Sequence, residues 1–171
     1  TARYKLKDGS YWDKTTDNFV QNHNILSAVW NVDEHWDMNL SLHYTYGYGY
    51  YDEFRYNNKL SKFGLTFKNP DGSTLKKSDF VRQKGLTQHT YGAVYNVSYH
   101  DELWDVIGGV SAQNFRSNHF GHLTYVGNDA LAAAILDASG RYTYYGSDAF
   151  KGDYSAFVKA SLSLGEHWDI F

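Results

Sequence analysis

The sequence predicts an all-β protein of antiparallel strands, and three observations lead to this fold class. Several long segments alternate apolar and polar residues with a period of two, as strands with one apolar face do. One tight-turn motif recurs between such segments. Aromatic residues make up 18% of the 171-residue chain, proline occurs once and cysteine never, a composition that favours strands.

The tight-turn motif occupies three stretches, which read VDEHWD at 32–37, HDELWD at 100–105 and LGEHWD at 164–169. Each copy stands between two alternating segments, and a much longer stretch separates one copy from the next. The repeating unit is therefore a strand, a short turn, a second strand and a long excursion. We predict short turns near 32–35, 100–103 and 164–167.

The first predicted strand lies between Phe19 and Asn31, and the second begins at Trp36. In the first strand, Leu26, Ala28 and Trp30 share one parity. The second alternates without interruption, and its apolar face carries Trp36, Met38, Leu40, Leu42, Tyr44 and Tyr46. A period of two over this length predicts a strand whose two faces meet different surroundings.

The remaining strands flank the second and third turns. Their apolar faces carry Tyr91, Ala93, Tyr95, Val97 and Tyr99 in the third strand, Trp104, Val106, Gly108, Val110 and Ala112 in the fourth, and Tyr154, Ala156, Val158, Ala160, Leu162 and Leu164 in the fifth. A partial sixth strand follows the third turn. Across the predicted strands, the charged residues Asp37, Asp105, Lys159 and Asp169 all have the parity opposite to the apolar face.

Two long loops are predicted between the hairpins, near 47–88 and 116–152. Excursions of this size are uncommon in compact soluble domains. Within the second loop we predict a short helix over 128–138, with Asn128 or Asp129 as its cap and Leu131, Ile135 and Leu136 on its apolar side.

Strand length and aromatic placement distinguish a membrane sheet from a soluble one. About ten residues cross a bilayer core, whereas soluble strands usually have about five or six. Trp30, Trp36, Trp104 and Trp168 all flank the tight turns, where a girdle of aromatic residues would meet the membrane–water interface. The alternative for each tryptophan is a place in a soluble core. The grouped placement favours a segment of an antiparallel up-and-down transmembrane β-barrel.

Composition and motifs exclude several other classes. The formal net charge is −3 and the chain has no continuous basic track, which argues against nucleic-acid binding. No nucleophile elbow, phosphate-binding loop or zinc-binding helix motif occurs, so we expect no enzyme activity and no cofactor. His119 and His122 are spaced for a metal, but they have no third ligand nearby, and we predict no metal site.

Several stretches resemble the barrel of a Bacteroidetes-type TonB-dependent outer-membrane receptor. They are Asn22-His23 leading into 25–30, the hairpin 31–36, and the segments 42–53, 77–85 and 119–122. The resemblance implies a barrel with short periplasmic turns and long extracellular loops, placed in outer-membrane lipid. It also implies a plug domain, the inner-membrane TonB complex as partner, and uptake of a small substrate such as an iron chelate, cobalamin or glycan.

The chain is shorter than such a barrel, because about five full strands and a partial one fall below the eight of the smallest bacterial barrels. We therefore expect residues 1–171 to form a single partial barrel segment that needs the rest of the barrel and the plug. The alternative is a soluble β-rich module that binds a ligand or carbohydrate.

The candidate substrate-binding residues are aromatic and cationic side chains that follow the second strand. They are Tyr46, Tyr48, Tyr50, Tyr51 and Arg55. Aromatic faces stack on the apolar surfaces of sugar or chelate rings, which would suit an extracellular mouth. The alternative is an upper aromatic girdle that continues into the end of a strand, where glycines at 47 and 49 permit bending.

Overall fold

The computed structural model describes residues 4–13, 17–164 and 169–170, with the side chains of 169–170 left undescribed. Strands account for 73% of the structure and helices for 7%. The long strands form an antiparallel sheet. The prediction of an all-β, antiparallel fold is therefore confirmed.

Five long strands and five short ones make up the described fold. In chain order, the strands are β1 (Tyr4–Lys5), β2 (Tyr11–Trp12), β3 (Asp17–Asn31), β4 (Trp36–Lys59), β5 (Phe67–Lys68), β6 (Thr74–Leu75), β7 (Lys77–His100), β8 (Trp104–Val126), β9 (Tyr142–Ser163) and β10 (Asp169–Ile170). A 3-10 helix, η1 (Leu60–Phe63), follows β4, and an α-helix, α1 (Asp129–Ile135), follows β8.

The main sheet has the strand order β10-β9-β8-β7-β4-β3. Neighbours in this order are mostly sequential in the chain, as in a series of hairpins. β10 continues the series by pairing Asp169 with Ser163 and Ile170 with Leu162. Two small ribbons, β1–β2 and β5–β6, stand apart from this sheet. Within the described residues no pairing joins β3 to β10, so the sheet is open.

The connections correct the predicted loop boundaries. β4 continues to Lys59 and β7 starts at Lys77, so most of the predicted loop 47–88 is strand and the connection comprises residues 60–76. Likewise β8 continues to Val126 and β9 starts at Tyr142, so the second connection comprises residues 127–141 and not the predicted loop 116–152. Tyrosine, glycine and charged residues occupy both parities of these strand ends, which hides the period of two.

Helix α1 forms inside the segment predicted to be helical. The Asn128 side chain accepts a hydrogen bond from the Leu131 backbone N–H at 2.9 Å, so Asn128 is the cap. This bond satisfies one of the backbone donors that the first helical turn leaves unpaired. Leu131 is fully buried, which places the apolar side of α1 against the protein core.

The first two tight turns share one hydrogen-bonding pattern. The Asp33 carboxylate accepts from the backbone N–H groups of His35 at 2.8 Å and Trp36 at 2.9 Å. Asp101 accepts in the same way from Leu103 at 2.8 Å and Trp104 at 2.6 Å. These bonds stabilise the charged carboxylate and hold the pKa of Asp101 below its usual range, the bond from Trp104 having the largest effect. The third predicted turn, near 164–167, lies outside the described residues apart from Leu164.

Three further turns use an aspartate and the serine two residues later. In each, one carboxylate oxygen accepts from both the serine hydroxyl and the serine backbone N–H, at 2.6 to 2.9 Å. The pairs are Asp8–Ser10, Asp71–Ser73 and Asp137–Ser139. Gly72 sits in the second turn at φ 83°, a left-handed conformation that favours glycine.

The chain divides into two compact units. The first, here called the packed unit, comprises residues 1–20, 47–87 and 118–148. Its described residues hold a buried cluster in which the Phe63 and Phe80 rings lie 4.8 Å apart. The other members of the cluster are Leu60, Leu65, Leu123, Val126 and Leu131. Each fully buried side chain of this kind contributes about 1.5–3 kcal/mol through the hydrophobic effect.

The second unit, here called the sheet unit, comprises residues 21–46, 88–117 and 149–171. Among its described residues no hydrophobic side chain is buried. Leu26 is 69% exposed and Val158 is 79% exposed. Leu40, Val106 and Leu162 are partly exposed and do not belong to a core cluster. The described part of the sheet unit therefore has apolar side chains but no apolar interior of its own.

Candidate functional site

The polar face of the sheet unit carries hydrogen bonds between side chains on different strands, and the bond from His43 to Gln113 crosses the intervening β7. Ser27 and Ser41 are joined at 2.9 Å, and Ser111 and Ser155 at 2.8 Å. Two histidine bonds, His23 to Thr45 at 2.9 Å and His43 to Gln113 at 3.1 Å, belong to the same face. All of these side chains have the polar parity of their strands, so the pairs lie on one side of the sheet.

The opposite face carries aromatic and aliphatic side chains. The Trp36 and Tyr99 rings lie 4.9 Å apart, and the Tyr46 ring lies 5.3 Å from the His89 ring. The Tyr44 hydroxyl is hydrogen-bonded to the same His89 at 2.8 Å. Aliphatic residues such as Val158 stand exposed on this face. Most side chains follow this division by parity, but Ile25, Val29 and Phe157, each at least half exposed, have the polar parity.

Three of the four tryptophans predicted to form a girdle lie in the described part of the sheet unit. Trp30 is 63% exposed, and Trp36 and Trp104 are also exposed. None of the three belongs to the described core cluster. Trp168 lies outside the described residues. Their contact with a membrane interface stays a prediction.

In the packed unit, aromatic rings lie directly over glycines of neighbouring strands. Phe19 covers Gly49, Phe120 covers Gly85, and Tyr145 covers Gly121. A Cβ atom at any of these glycines would collide with the ring above it. Glycine is required here by the close approach of a ring, which the sequence signals only as glycines within strands.

Two of these glycines line a cavity of about 280 Å³, here called the glycine cavity. Gly49 and Gly85 line it, and Tyr50, Tyr51 and Tyr145 are among the aromatic residues of the wall. Phe19, Lys84 and His119 also line it. A cavity walled by aromatic rings accommodates a small planar or ring-shaped ligand.

The structure brings together only some of the predicted substrate-binding residues. Tyr50 and Tyr51 line the glycine cavity, and Tyr48 stacks on Phe120 with a ring separation of 6.3 Å. Tyr46 belongs to the sheet unit. Arg55 lines a second cavity of the packed unit, of about 370 Å³. That these residues bind a substrate stays a prediction.

The second cavity contains cationic residues that the sequence interpretation missed. Arg82, Lys84 and Lys62 line it together with Arg55. Beside it, Glu53 forms ion pairs with Arg55 at 2.9 Å and with Arg82 at 2.6 Å. The sequence signal was the spacing of two residues between Glu53 and Arg55 on β4 and between Arg82 and Lys84 on β7, which puts each pair on one strand face.

Other titratable groups of the packed unit have structural partners. The Gln83 side-chain amide donates to the Asp52 carboxylate at 3.2 Å, and burial raises the pKa of Asp52 despite this bond. His122 is hydrogen-bonded to Thr143 at 2.9 Å, and burial lowers its pKa, which favours the neutral ring. Within the described ranges, no three histidine, aspartate or glutamate residues group so as to hold a metal ion.

Comparisons with family models, with curated proteins and with solved structures found no match to this chain. Among the described residues, no helix is long and apolar enough to cross a membrane.

Proposed function

We propose that this chain is a segment of a bacterial outer-membrane β-barrel that serves as a receptor and transporter for a small nutrient. The observation that carries the proposal is the bare apolar face of the sheet unit. Leu26, Val110 and Val158 extend from three different strands of this face, and each is more than half exposed. An exposed face of this kind needs an apolar neighbour, and the acyl chains of a lipid bilayer are such a neighbour.

The energetic argument favours lipid over water. Each large aliphatic or aromatic side chain left in water forgoes about 1.5–3 kcal/mol relative to burial. The packed unit gains this energy from its own core, whereas the described residues of the sheet unit contain no such core. Contact with acyl chains supplies the missing stabilisation without requiring a second protein layer.

Strand length and hydrogen bonding agree with the proposal. The long strands have 15 to 24 residues, more than the about ten that a tilted strand needs to cross the apolar core of a bilayer. The polar face carries serine, histidine and threonine side chains bonded across strands. Such a face suits the water-filled interior of a barrel, because water can hydrogen-bond polar groups that acyl chains would leave unsatisfied.

The receptor part of the proposal rests on the glycine cavity and on the resemblance. The cavity is lined by aromatic rings and has a volume that suits a small ring-shaped group. An iron chelate, cobalamin or a glycan would each present such a group. A plug domain and the inner-membrane TonB complex would then complete the transporter, with the remaining barrel strands pairing at β3 and β10.

Fluorescence quenching by brominated lipids tests the membrane contact. Two variants, one retaining only Trp36 and one retaining only Trp12, are reconstituted into vesicles whose lipids carry bromine close to the head group. We expect strong quenching of Trp36, because this ring would lie at the interface, and weak quenching of Trp12, which belongs to the packed unit. Equal and weak quenching of both, with a monomer that stays soluble without detergent, would refute the proposal.

The second candidate is a soluble module that binds a carbohydrate, which the aromatic wall of the glycine cavity favours. Ultracentrifugation of the full chain without detergent separates the two candidates. A cooperatively folding monomer in the supernatant supports the soluble module. Sedimentation unless detergent is present supports the membrane segment.

A further inference from the structure

We infer that the second cavity of the packed unit, here called the cationic cavity, binds a small molecule through a carboxylate or phosphate group. It has a volume of about 370 Å³ and is lined by Arg55, Asn58, Lys62, Phe63, Arg82, Lys84, Tyr144 and Tyr145. The inference concerns ligand binding alone and holds whether or not the sheet unit contacts lipid.

The charges of the cationic cavity are unbalanced. Four cationic side chains line it, and no acidic residue is among the residues that line it. Glu53 is paired with two of the cations, Arg55 and Arg82. Among the residues that the structure describes, Lys62 and Lys84 form no ion pair. A positive field in a partly enclosed space attracts anions, because the low-dielectric walls screen it less than bulk water does.

The two arginines are held in place before any ligand arrives. The Arg82 guanidinium donates to the Glu53 carboxylate through Nε at 2.8 Å, and its Nη2 lies 2.6 Å from the same oxygen. Arg55 Nη2 lies 2.9 Å from the other Glu53 oxygen. One carboxylate therefore orients two guanidiniums and neutralises only one of their two charges. Orientation before binding lowers the entropic cost of binding an oxyanion.

Two polar atoms in the wall have no hydrogen-bond partner. Arg55 Nε and the Tyr144 hydroxyl are both shielded from solvent and unpaired. A shielded donor without an acceptor costs about 1–3 kcal/mol. A ligand oxygen that reaches either donor after a small side-chain rotation would remove this cost. These donors therefore favour a ligand that presents several acceptor oxygens.

The aromatic side of the cationic cavity indicates that the ligand also has an apolar or ring-shaped part. The Phe63 and Tyr144 rings meet edge to face at 5.0 Å. Lys84 Nζ lies 5.9 Å from the centre of the Tyr145 ring, a distance at which a cation and a ring attract each other. A small organic acid or phosphate ester meets both requirements.

Calorimetric titration of the full chain in detergent micelles tests the inference, with citrate and inorganic pyrophosphate as separate probes and acetate as a weak monovalent reference. We expect one site for citrate, pyrophosphate or both, with affinity that falls as salt rises. Binding of citrate alone assigns a carboxylate ligand, and binding of pyrophosphate alone assigns a phosphate ligand. Failure of both probes to bind at millimolar concentration overturns the inference.

Variants at the two lysines locate the site without disturbing the Glu53 ion pairs. Lys62→Gln and Lys84→Gln should each weaken binding by about tenfold, because each removes one charged partner of the ligand. Lys68→Gln makes the same change of charge at an exposed position on β5 and should alter affinity by less than about twofold. Equal losses in all three variants would overturn the inference, since they would indicate a nonspecific effect of net charge. Circular dichroism of each variant verifies that the fold is retained.

Discussion

Replacing Val158 by arginine tests which medium contacts the apolar face of the sheet unit. Val158 lies on β9 and is 79% exposed. It lies beside Gly108 of β8, where an added Cβ atom would be 3.7 Å from Val158 Cγ2. The next residue, Lys159, has the opposite parity and already carries a positive charge. The two positions therefore place the same charge on the two faces of one strand.

The two media predict different costs. On a lipid-facing strand, an arginine near the middle of the bilayer costs about 2–4 kcal/mol, which is roughly a 30- to 900-fold change in the folding equilibrium. At an exposed position in water, the same substitution changes the free energy of unfolding by about 0.5 kcal/mol or less. Because Val158 is largely exposed, the substitution disturbs little protein packing. The measured change in the free energy of unfolding therefore reports whether water or lipid surrounds this face.

The assay is urea-induced unfolding of the chain reconstituted in lipid vesicles, followed by tryptophan fluorescence. We expect Val158→Arg to lower the free energy of unfolding by about 2–4 kcal/mol. Lys159→Arg retains the charge on the polar face and serves as the matched control, with an expected change of about 0.5 kcal/mol or less. If the two variants unfold at the same urea concentration, the apolar face does not contact lipid.

Three further predictions concern the packed unit. Phe80→Ala should destabilise it by about 3–5 kcal/mol through the cavity left in the core, whereas the control Phe150→Ala, at a 64% exposed position of the sheet unit, should cost less than about 1 kcal/mol in urea unfolding. Gly121→Ala should lower the free energy of unfolding by about 1–3 kcal/mol because its Cβ meets the Tyr145 ring. Gly146→Ala should not, because its Cβ would lie 3.9 Å from the His119 carbonyl oxygen. Equal urea midpoints for the two variants would contradict the contact between ring and glycine. Hydrogen bonds from Ser73 lower the pKa of Asp71 from 3.8. The stability that these bonds contribute is therefore complete above pH 3.8 and declines as the pH falls through the lowered pKa. An NMR titration that gives Asp71 a pKa of 3.8 or higher would disprove this prediction.

The turns and the strand faces could be predicted because their causes are local in the chain. An aspartate that accepts from the backbone two and three residues later defines the same turn at Asp33 and Asp101. Likewise the parity of residues 36–46 follows from the pleat of a single strand. The cap of α1 at Asn128 is local for the same reason.

The strand ends and the cationic cavity could not be predicted in this way. Residues 47–59 place tyrosines and charged side chains on both parities, so their extended conformation shows in the pairing with β7 and not in a pattern of their own. Arg55 and Arg82 come from different strands, and only the neighbouring positions of β4 and β7 in the sheet bring them to one carboxylate.

The sequence by itself thus determined the antiparallel strands, two faces of differing polarity and the positions of the described tight turns, because the forces behind them act between residues close in the chain. The tertiary structure alone decided how far the strands continue, which glycines lie beneath rings and where the cations converge. Those features depend on strand register, which is selected by many distant contacts at once and leaves no short-range pattern in the chain.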